Sequence, residues 1–328
     1  MSAIKKLLPK TTARFAVICV LLSSILFSAK AIVVKMALVG EPMIDGVGLL
    51  ALRMGVALPF FLCLVWFTRG AGKVTAKVWV QIIAAGVLGY YLASVLDFIG
   101  LEYISASLER IILFLYPTFA VLFGVIFLGD RLRAISIFGL ILGYLGTLIV
   151  MLGAAAGIGA QADLIKGSVL VLISAAAYAG YLVLAEPVIK SVGQWRATGL
   201  ILSVSSVACL LHAFVTVPRT EVAVLFSQPT LGYGILLGIF ATAIPVSLVI
   251  YGIRQIGAAQ SAMISAGGPV LTLFLAAIFL GESLSWIQWI GVAANIAGVM
   301  TVSLTVRSKQ TTPLHAQPPV QSENRGSL

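Results

Sequence analysis

Long apolar runs separated by short polar links follow one another along almost the whole chain. A helix needs about 20 mostly apolar residues to cross the hydrocarbon core of a bilayer, and we predict one helix for each run of that length. The runs cover residues 15–38, 46–67, 78–101, 104–128, 133–152, 167–189, 197–217, 232–253, 258–280 and 285–306. The pattern predicts ten membrane-spanning helices, and the shortest links force consecutive helices to run antiparallel.

The composition argues against most other classes of protein. Of the 328 residues, 60% are apolar and only 10% are Asp, Glu, Lys or Arg, whereas a soluble domain carries about 25% charged residues. A soluble enzyme, a disordered chain and a nucleic-acid binder are therefore poor interpretations. The three cysteines lie inside apolar runs, and no metal- or nucleotide-binding motif is visible. We expect an all-α integral membrane protein without a cofactor, a metal or a nucleic-acid partner.

Basic residues are concentrated in the links on one side of the predicted bundle. Only Lys166 and Arg219 lie on the side opposite the N-terminus, whereas fifteen basic residues lie on the N-terminal side. Such a bias marks the cytoplasmic side of a membrane protein. We therefore predict two cytoplasmic termini and a location in the cell (inner) membrane. The fifteen residues are Lys5, Lys6, Lys10, Arg14, Arg69, Lys73, Lys77, Arg131, Arg133, Lys190, Arg196, Arg254, Arg307, Lys309 and Arg325.

The chain contains an internal repeat with an offset of 152 residues. Residues 101–152 align with 253–304 without a gap, and fourteen of the 52 pairs are identical. Apolar sequences match one another easily, so the argument depends on the matched Gly and Pro positions, such as Pro117 and Pro269. Each copy contains five predicted spans, an odd number, so the second copy must cross the membrane in the opposite sense. Inverted repeats of this kind are typical of secondary transporters.

The repeat divides the chain into five segments. We predict a basic cytoplasmic N-terminus (1–14), a first five-helix repeat (15–152), a linker (153–166), a second five-helix repeat (167–306) and a disordered cytoplasmic tail (307–328). The tail is polar and rich in proline, so it cannot bury a core of its own.

Several motifs resemble the EamA-type family of the drug/metabolite transporter superfamily. They are Leu52-Arg53, the segment from Ser105 to Pro117, and Phe127-Leu128-Gly129-Asp130, which recurs as Phe279-Leu280-Gly281-Glu282. The resemblance covers residues 15–306. It implies a membrane transporter with a central cavity lined mainly by the first, third, fourth, sixth, eighth and ninth helices. The two repeats differ at one important place: the second has Ser261-Ala262 where the first has Glu109-Arg110. We therefore expect the charged residues that act on the substrate to lie mostly in the first repeat.

Polar residues at helical spacing fall on the spans that the family places around its cavity. Small polar residues also form hydrogen bonds between helices throughout membrane bundles, and this alternative stays open for each set. The candidate substrate-binding residues of this kind are Tyr90, Ser94, Tyr116, Tyr178, Tyr181, Tyr251 and Ser265.

Ionisable residues inside the spans are stronger candidates, because a charge at the bilayer centre costs about 2.5–3.5 kcal/mol on insertion scales. Lys30, Arg53 and Arg110 are candidates for binding an anionic group of the substrate, and Lys30 is the best of them. Glu109 and Asp97 are its candidate partners and are themselves candidate substrate-binding residues. They are also the proton-coupling candidates, since burial favours the neutral form of a carboxyl group. The alternative is a set of fixed ion pairs between helices, with Lys35 and Arg53 extending to the membrane surface.

Two spans contain helix-breaking residues near the middle of the membrane. They are Pro117 in the fourth span and Gly268-Pro269 in the ninth. Backbone carbonyls freed at such breaks contact substrate in many transporters, although a bend can also merely shape the bundle. Glycines on the fifth and tenth spans indicate tight packing, with a homodimer contact as a further use. These glycines are Gly139, Gly143, Gly146, Gly291 and Gly298.

Together these patterns predict a secondary active transporter, not an enzyme, whose partners are small polar or amphipathic metabolites and membrane lipid. We expect alternating access around a cavity between the repeats, and family analogy favours export. Proton coupling through Glu109 or Asp97 is one alternative, and solute exchange without protons is another. A membrane enzyme or sensor of the same fold is a less favoured alternative, because we see neither a cluster of catalytic groups nor an appended soluble domain.

Overall fold

A computed structural model describes residues 10–41, 43–70, 74–128, 134–155, 161–257, 261, 264–265 and 267–310, and their regular secondary structure is helical. The α-helices are α1 (Lys10–Gly40), α2 (Gly46–Phe67), α3 (Ala76–Ala84), α4 (Leu92–Tyr103), α5 (Ala106–Leu113), α6 (Tyr116–Leu128), α7 (Ala134–Ala155), α8 (Gln161–Val192), α9 (Gln194–Thr216), α10 (Arg219–Leu225), α11 (Thr230–Ile235), α12 (Ile244–Ile256), α13 (Gly268–Leu280) and α14 (Trp286–Gln310). Two π-helical segments, Ala85–Tyr91 and Leu236–Ala243, join α3 to α4 and α11 to α12.

Within the described residues, eight helical stretches are long and apolar enough to cross a membrane. They are Arg14–Gly40, Gly46–Phe67, Ala76–Tyr103, Ala106–Ile126, Ala134–Gly153, Ala162–Val192, Gln194–Thr216 and Thr230–Ile256. Helix α13 is a shorter apolar helix of 13 residues, and α14 is a helix of 25 residues. The prediction of an all-helical fold is confirmed for the described residues, and these stretches are the candidate membrane spans. The count of ten spans stays a prediction, because the first half of the ninth lies largely outside the described residues.

The π-helical segments were not predicted from the sequence, and they lie at equivalent positions of the two repeats. Each segment contains a glycine that lets a neighbouring backbone approach. A Cβ atom on Gly86 would lie 2.9 Å from the carbonyl oxygen of Ile201, and one on Gly238 would lie 2.8 Å from that of Arg53. A widened π turn displaces the side chains that follow it, and such turns occur frequently at functional sites.

The fourth predicted span consists of two helices. Helix α5 ends at Leu113 and α6 begins at Tyr116, with the N–H of Leu115 bonded to the carbonyl of Ile112 at 3.0 Å. Pro117 lies in the first turn of α6, where its missing N–H does not interrupt a helical hydrogen bond. In the ninth predicted span, α13 begins with Gly268-Pro269.

The glycines of the fifth and tenth predicted spans pack against each other within one chain. Helices α7 and α14 contact each other closely, and a Cβ atom on Gly291 would lie 2.7 Å from the carbonyl oxygen of Gly146. One on Gly298 would lie 2.6 Å from that of Gly139. The glycine faces are therefore occupied inside the chain. A homodimer through these helices stays a prediction, and it would have to use their other faces.

One end of the bundle is held by side chains that bind the ends of other helices, and we call it the capped end. Glu282 accepts hydrogen bonds from the N–H groups of Ala106 and Ser107, both at 2.9 Å, and so caps α5. Glu102 accepts one from the N–H of Gly46 at 2.6 Å. Lys35 donates to the carbonyl oxygens of Leu101 at 2.8 Å and Ile104 at 2.9 Å. Lys35 therefore binds carbonyls freed at this end of the bundle, and its extension to the membrane surface stays a prediction.

Several helices extend beyond the apolar runs that predicted them. Helix α1 begins four residues before Arg14, and α14 continues to Gln310, inside the predicted disordered tail. Helix α10 forms in a segment predicted as a link. Apolar runs mark only the part of a helix inside the hydrocarbon core, so polar turns at its ends are missed. The link 129–132, part of the linker, most of the predicted N-terminal segment and the tail beyond Gln310 lie outside the described residues.

We expect the change Gly291→Leu to destabilise the protein by about 1–3 kcal/mol or more, because a larger side chain would collide with the backbone of α7. Thermal unfolding of the purified protein in detergent measures this. Gly70→Leu is the control, because no atom lies within 4 Å of the position of its Cβ atom. Equal melting temperatures for the two variants would contradict the tight α7–α14 contact.

Candidate functional site

The centre of the candidate site is an ion-paired cluster of Lys30, Asp97 and Glu109, which we call the charged triad. Lys30 is on α1, Asp97 on α4 and Glu109 on α5. The Lys30 ammonium donates to Asp97 Oδ2, and its distance to Glu109 Oε1 is 3.2 Å. All three side chains are buried, Glu109 completely. A buried charge is stable only when it is paired and hydrogen-bonded, so this cluster fixes the relative positions of three helices.

The two carboxyl groups of the triad also face each other. They lie close enough for a hydrogen bond between them when one carries a proton. Asp97 Oδ1 and Glu109 Oε2 are buried and have no hydrogen-bond partner among the described residues. The cluster therefore has spare acceptor capacity, which a proton could occupy.

Arg53 lies beside the triad and makes neutral contacts. It is 4% exposed, its Nε donates to Thr242 Oγ1 at 2.8 Å, and its guanidinium lies 5.3 Å from the ring centre of Phe98. Thr242 in turn donates to the carbonyl oxygen of Leu237 at 2.8 Å. The alternative in which Arg53 extends to the membrane surface is thus wrong, because its guanidinium is held inside the bundle by a π-helical segment.

Arg110 follows Glu109 directly but points elsewhere. Successive residues of a helix are rotated by about 100°, so Arg110 faces α13 instead of the triad. Its Nη2 lies 3.0 Å from the position of a Cβ atom on Gly268. Its Nε is buried without a hydrogen-bond acceptor in the described part of the chain. The ion pairs found there are Lys30–Asp97, Lys30–Glu109 and Lys190–Glu186, and Arg110 belongs to none of them.

Four of the predicted tyrosines form one cluster. Tyr178 lies 5.0 Å from Tyr116, 5.5 Å from Tyr181 and 6.5 Å from Tyr90 between ring centres. Tyr90 and Tyr181 are 5.3 Å apart in an edge-to-face arrangement. All four rings are partly buried. The charge of Arg110 acts on Tyr116 and Tyr178, so the cluster lies within electrostatic reach of this arginine.

The remaining predicted residues are not in these two groups. Ser94 is buried on α4, whereas Tyr251 packs edge-to-face on Phe15, with ring centres 5.8 Å apart, at the other end of α1. Ser265 is partly buried before α13. The structure thus separates Tyr251 from the triad, since the two contact opposite halves of α1.

Two residues of the site were missed by the sequence analysis. Thr242, which binds Arg53, is the repeat equivalent of Tyr90, so the offset of 152 could have identified it. Ser28 donates to the carbonyl oxygens of Ser24 at 2.8 Å and Gly268 at 2.9 Å. It lies one turn from Ser24 on α1, and that spacing was its only signal.

Two apolar grooves are lined by residues outside the triad and the tyrosine cluster, and the second groove borders that cluster. One, of about 390 Å³, is lined by residues such as Val56, Phe60 and Ile244. The other, of about 290 Å³, is lined by residues such as Leu88, Phe123 and Ala177. Neither is lined by a predicted site residue.

Comparison with known proteins assigns the chain to a family. The model of the EamA-like transporter family matches residues 14–152 and again residues 165–304. The chain belongs to the EamA-like transporter family. The resemblance drawn from the motifs is therefore confirmed, and the protein is a multi-pass membrane transporter.

Individual relatives agree with the family assignment. The uncharacterized transporter YcbK of Bacillus subtilis is 34% identical over 282 residues, covering 84% of this chain and 88% of that protein. The uncharacterized transporter YyaM of the same organism is 24% identical, covering 78% and 84%. A solved protein structure covers 90% of this chain and 99% of its own, with a TM-score of 0.61 and 20% identity. That likeness shows the fold alone, whereas the named relatives point to a transport role.

We expect Lys30→Met to destabilise this family member by about 3–5 kcal/mol, because two buried carboxylates would lose their shared cation. The variant that also carries Asp97→Asn and Glu109→Gln should regain most of the stability. Lys190→Met is the matched control and should cost about 0–1 kcal/mol, since the side chains of Lys190 and Glu186 are 74% and 54% exposed. Denaturation in detergent measures all three, and equal losses for both lysines would contradict the triad.

Proposed function

We propose that the protein is a secondary active transporter that exports small polar or amphipathic metabolites by alternating access. The observation that carries this proposal is the charged triad, in which one ammonium is shared by two carboxyl groups from separate helices. Burying such a cluster inside a membrane costs free energy, and ionisable groups at such positions are usually functional. The direction of transport rests on family analogy.

The triad suggests how a proton is coupled to the movement of helices. Glu109 lies at the longer distance from Lys30, 3.2 Å, and faces Asp97. A proton on Glu109 removes its attraction to the ammonium and lets it donate to Asp97. Lys30 then stays paired with Asp97 alone, which loosens α1 from α5. Binding and release of one proton would thus favour two arrangements of these helices.

The fold supports ten crossings in two inverted five-helix repeats, 15–152 and 167–306. The family model matches the chain twice. The π-helical segments Ala85–Tyr91 and Leu236–Ala243 occur at equivalent places in the two halves. With an even number of crossings, both termini lie on one side, and the distribution of basic residues favours the cytoplasm. The capped end then faces away from the cytoplasm, and the protein lies in the cell (inner) membrane.

Exchange of solutes without protons is the second candidate function. One observation favours it: Lys30 and Arg53 supply as many positive charges as Asp97 and Glu109 supply negative charges. The cluster is therefore neutral without any proton. In this case the triad serves only as a fixed link between helices.

Proton coupling predicts a specific effect of Glu109→Gln, which imitates the protonated side chain. The transported metabolite is first identified by profiling cells with and without the protein. In proteoliposomes that contain the wild type, we expect a pH gradient to drive accumulation of the metabolite. The variant should accumulate at least about tenfold less, while it still exchanges the metabolite across the membrane without a gradient. Glu186→Gln, an exposed site, is the matched control. Transport that ignores the gradient in the wild type would support the exchanger instead.

The inverted arrangement predicts that reporters fused to the two termini lie on the same side. We expect a fluorescent reporter that folds only in the cytoplasm to be active at both ends, since ten crossings return the chain to its starting side. A reporter active only outside the cytoplasm is the control and should be silent at both ends. Opposite signals at the two ends would contradict an even number of crossings.

A further inference from the structure

Arg110 is a cation of the described interior that forms no ion pair with an acid there. Lys30 is engaged by two carboxylates, and Arg53 is held by Thr242 and Phe98. Arg110 belongs to none of the ion pairs in the described residues, and its buried Nε has no acceptor there. A guanidinium offers five donors in a rigid fork that matches a carboxylate. Its side chain is only partly buried, so a ligand can reach it.

The surroundings of Arg110 add further positive potential. The absence of a Cβ atom at Gly268 lets the guanidinium approach the first turn of α13. The N-terminus of a 13-residue helix such as α13 carries a partial positive charge, which repels a cation and attracts an anion. Ser24 and Ser28 lie at the same place, since their hydroxyl oxygens are within 3.5 Å of that Cβ position. This arrangement is favourable when an anion lies between the guanidinium and the helix.

The tyrosine cluster determines what the rest of the ligand can be. The rings form a continuous series from Tyr116 beside Arg110, through Tyr178, to Tyr181 and Tyr90. Tyrosine rings bind planar aromatic groups edge-to-face or offset, and their hydroxyls accept or donate hydrogen bonds. A ligand with its anionic end at Arg110 would therefore place an aromatic body among these rings.

The same geometry disfavours an amino group on the ligand. Glu109, the acid whose charge interacts with that of Arg110, already shares Lys30 with Asp97, and an ammonium beside Arg110 would be repelled. We propose that Arg110 and the four tyrosines form the binding site for an aromatic monocarboxylate without an amino group. This inference deepens the proposed transport function by naming its substrate class.

Binding to the purified full-length protein in nanodiscs tests the substrate class without any gradient. The probes are 3-phenylpropionate, phenylalanine and 2-phenylethylamine, which share the ring and differ in charge. Isothermal titration calorimetry should show 3-phenylpropionate binding at least about tenfold more tightly than the other two. Phenylalanine binding equally or more tightly, or no detectable binding of 3-phenylpropionate, would overturn the proposal. Gradient-driven transport is measured in a separate experiment. A negative binding result would therefore contradict the substrate class without contradicting the transport function.

Variants of Arg110 test the role of the guanidinium. Arg110→Gln should weaken 3-phenylpropionate binding by roughly 10- to 100-fold, the loss expected for a charge-assisted hydrogen bond. Arg110→Lys should retain part of the affinity, because it keeps the charge but loses the fork. Arg254→Gln, an exposed arginine on α12, is the matched control and should bind like the wild type.

Stability separates a ligand-binding arginine from a structural one. Because Arg110 has no ion pair in the described residues, Arg110→Gln should keep or raise the melting temperature of the ligand-free protein relative to Arg254→Gln. A clearly lower melting temperature, with unchanged affinity for 3-phenylpropionate, would identify Arg110 as structural and overturn the proposal.

Discussion

The ammonium of Lys30 lies in an interior with little water, and its charge must be balanced there. Asp97 and Glu109 provide that balance, and because they come from α4 and α5, the pairing positions three helices at once. The same pairing removes Lys30 from the groups available to a ligand. Arg110 is left in the described residues as an interior cation without an ion pair, and its Nε has no acceptor there. One electrostatic constraint thus separates a triad that joins helices from the arginine that we propose as the anion site.

Helix α5 distributes its side chains between these two tasks. Glu109 and Arg110 are adjacent, and the rotation of about 100° between successive residues directs one to α1 and the other to α13. Tyr116 follows after the interruption at Phe114-Leu115, where a new helix begins. The interruption places this tyrosine against Tyr178, 5.0 Å away between ring centres. In an uninterrupted helix, Tyr116 would point in the direction set by the 100° rotation per residue of α5 instead.

Hydrophobicity predicted the helical membrane fold, because apolar runs of sufficient length have few other stable arrangements. The cost of buried charge also predicted that Lys30 would pair with Glu109 and Asp97. The sequence could not predict that Arg53 binds Thr242, since this contact depends on a π-helical turn. Nor could it predict that Arg110 forms no ion pair within the described part of the chain. Burying either Glu109 or Arg110 is costly, and only the orientation of the helix determines which of the two is paired. Local pattern determines which charges are buried, whereas tertiary packing determines which of them are paired.

Helix α1 is the element through which a change at the triad can reach the second repeat. Its serines bind that repeat: Ser23 donates to the carbonyl oxygen of Pro245 at 2.7 Å, and Ser28 to that of Gly268 at 2.9 Å. Lys30, two residues further along, binds α4 and α5 of the first repeat. The links to the second repeat are neutral and independent of pH, whereas those to the first depend on charge. In the proposed mechanism, a proton at the triad would weaken the pairing of α1 with α5 and leave its serine bonds to the second repeat unchanged. This asymmetry is what a proton-driven movement of one repeat against the other requires.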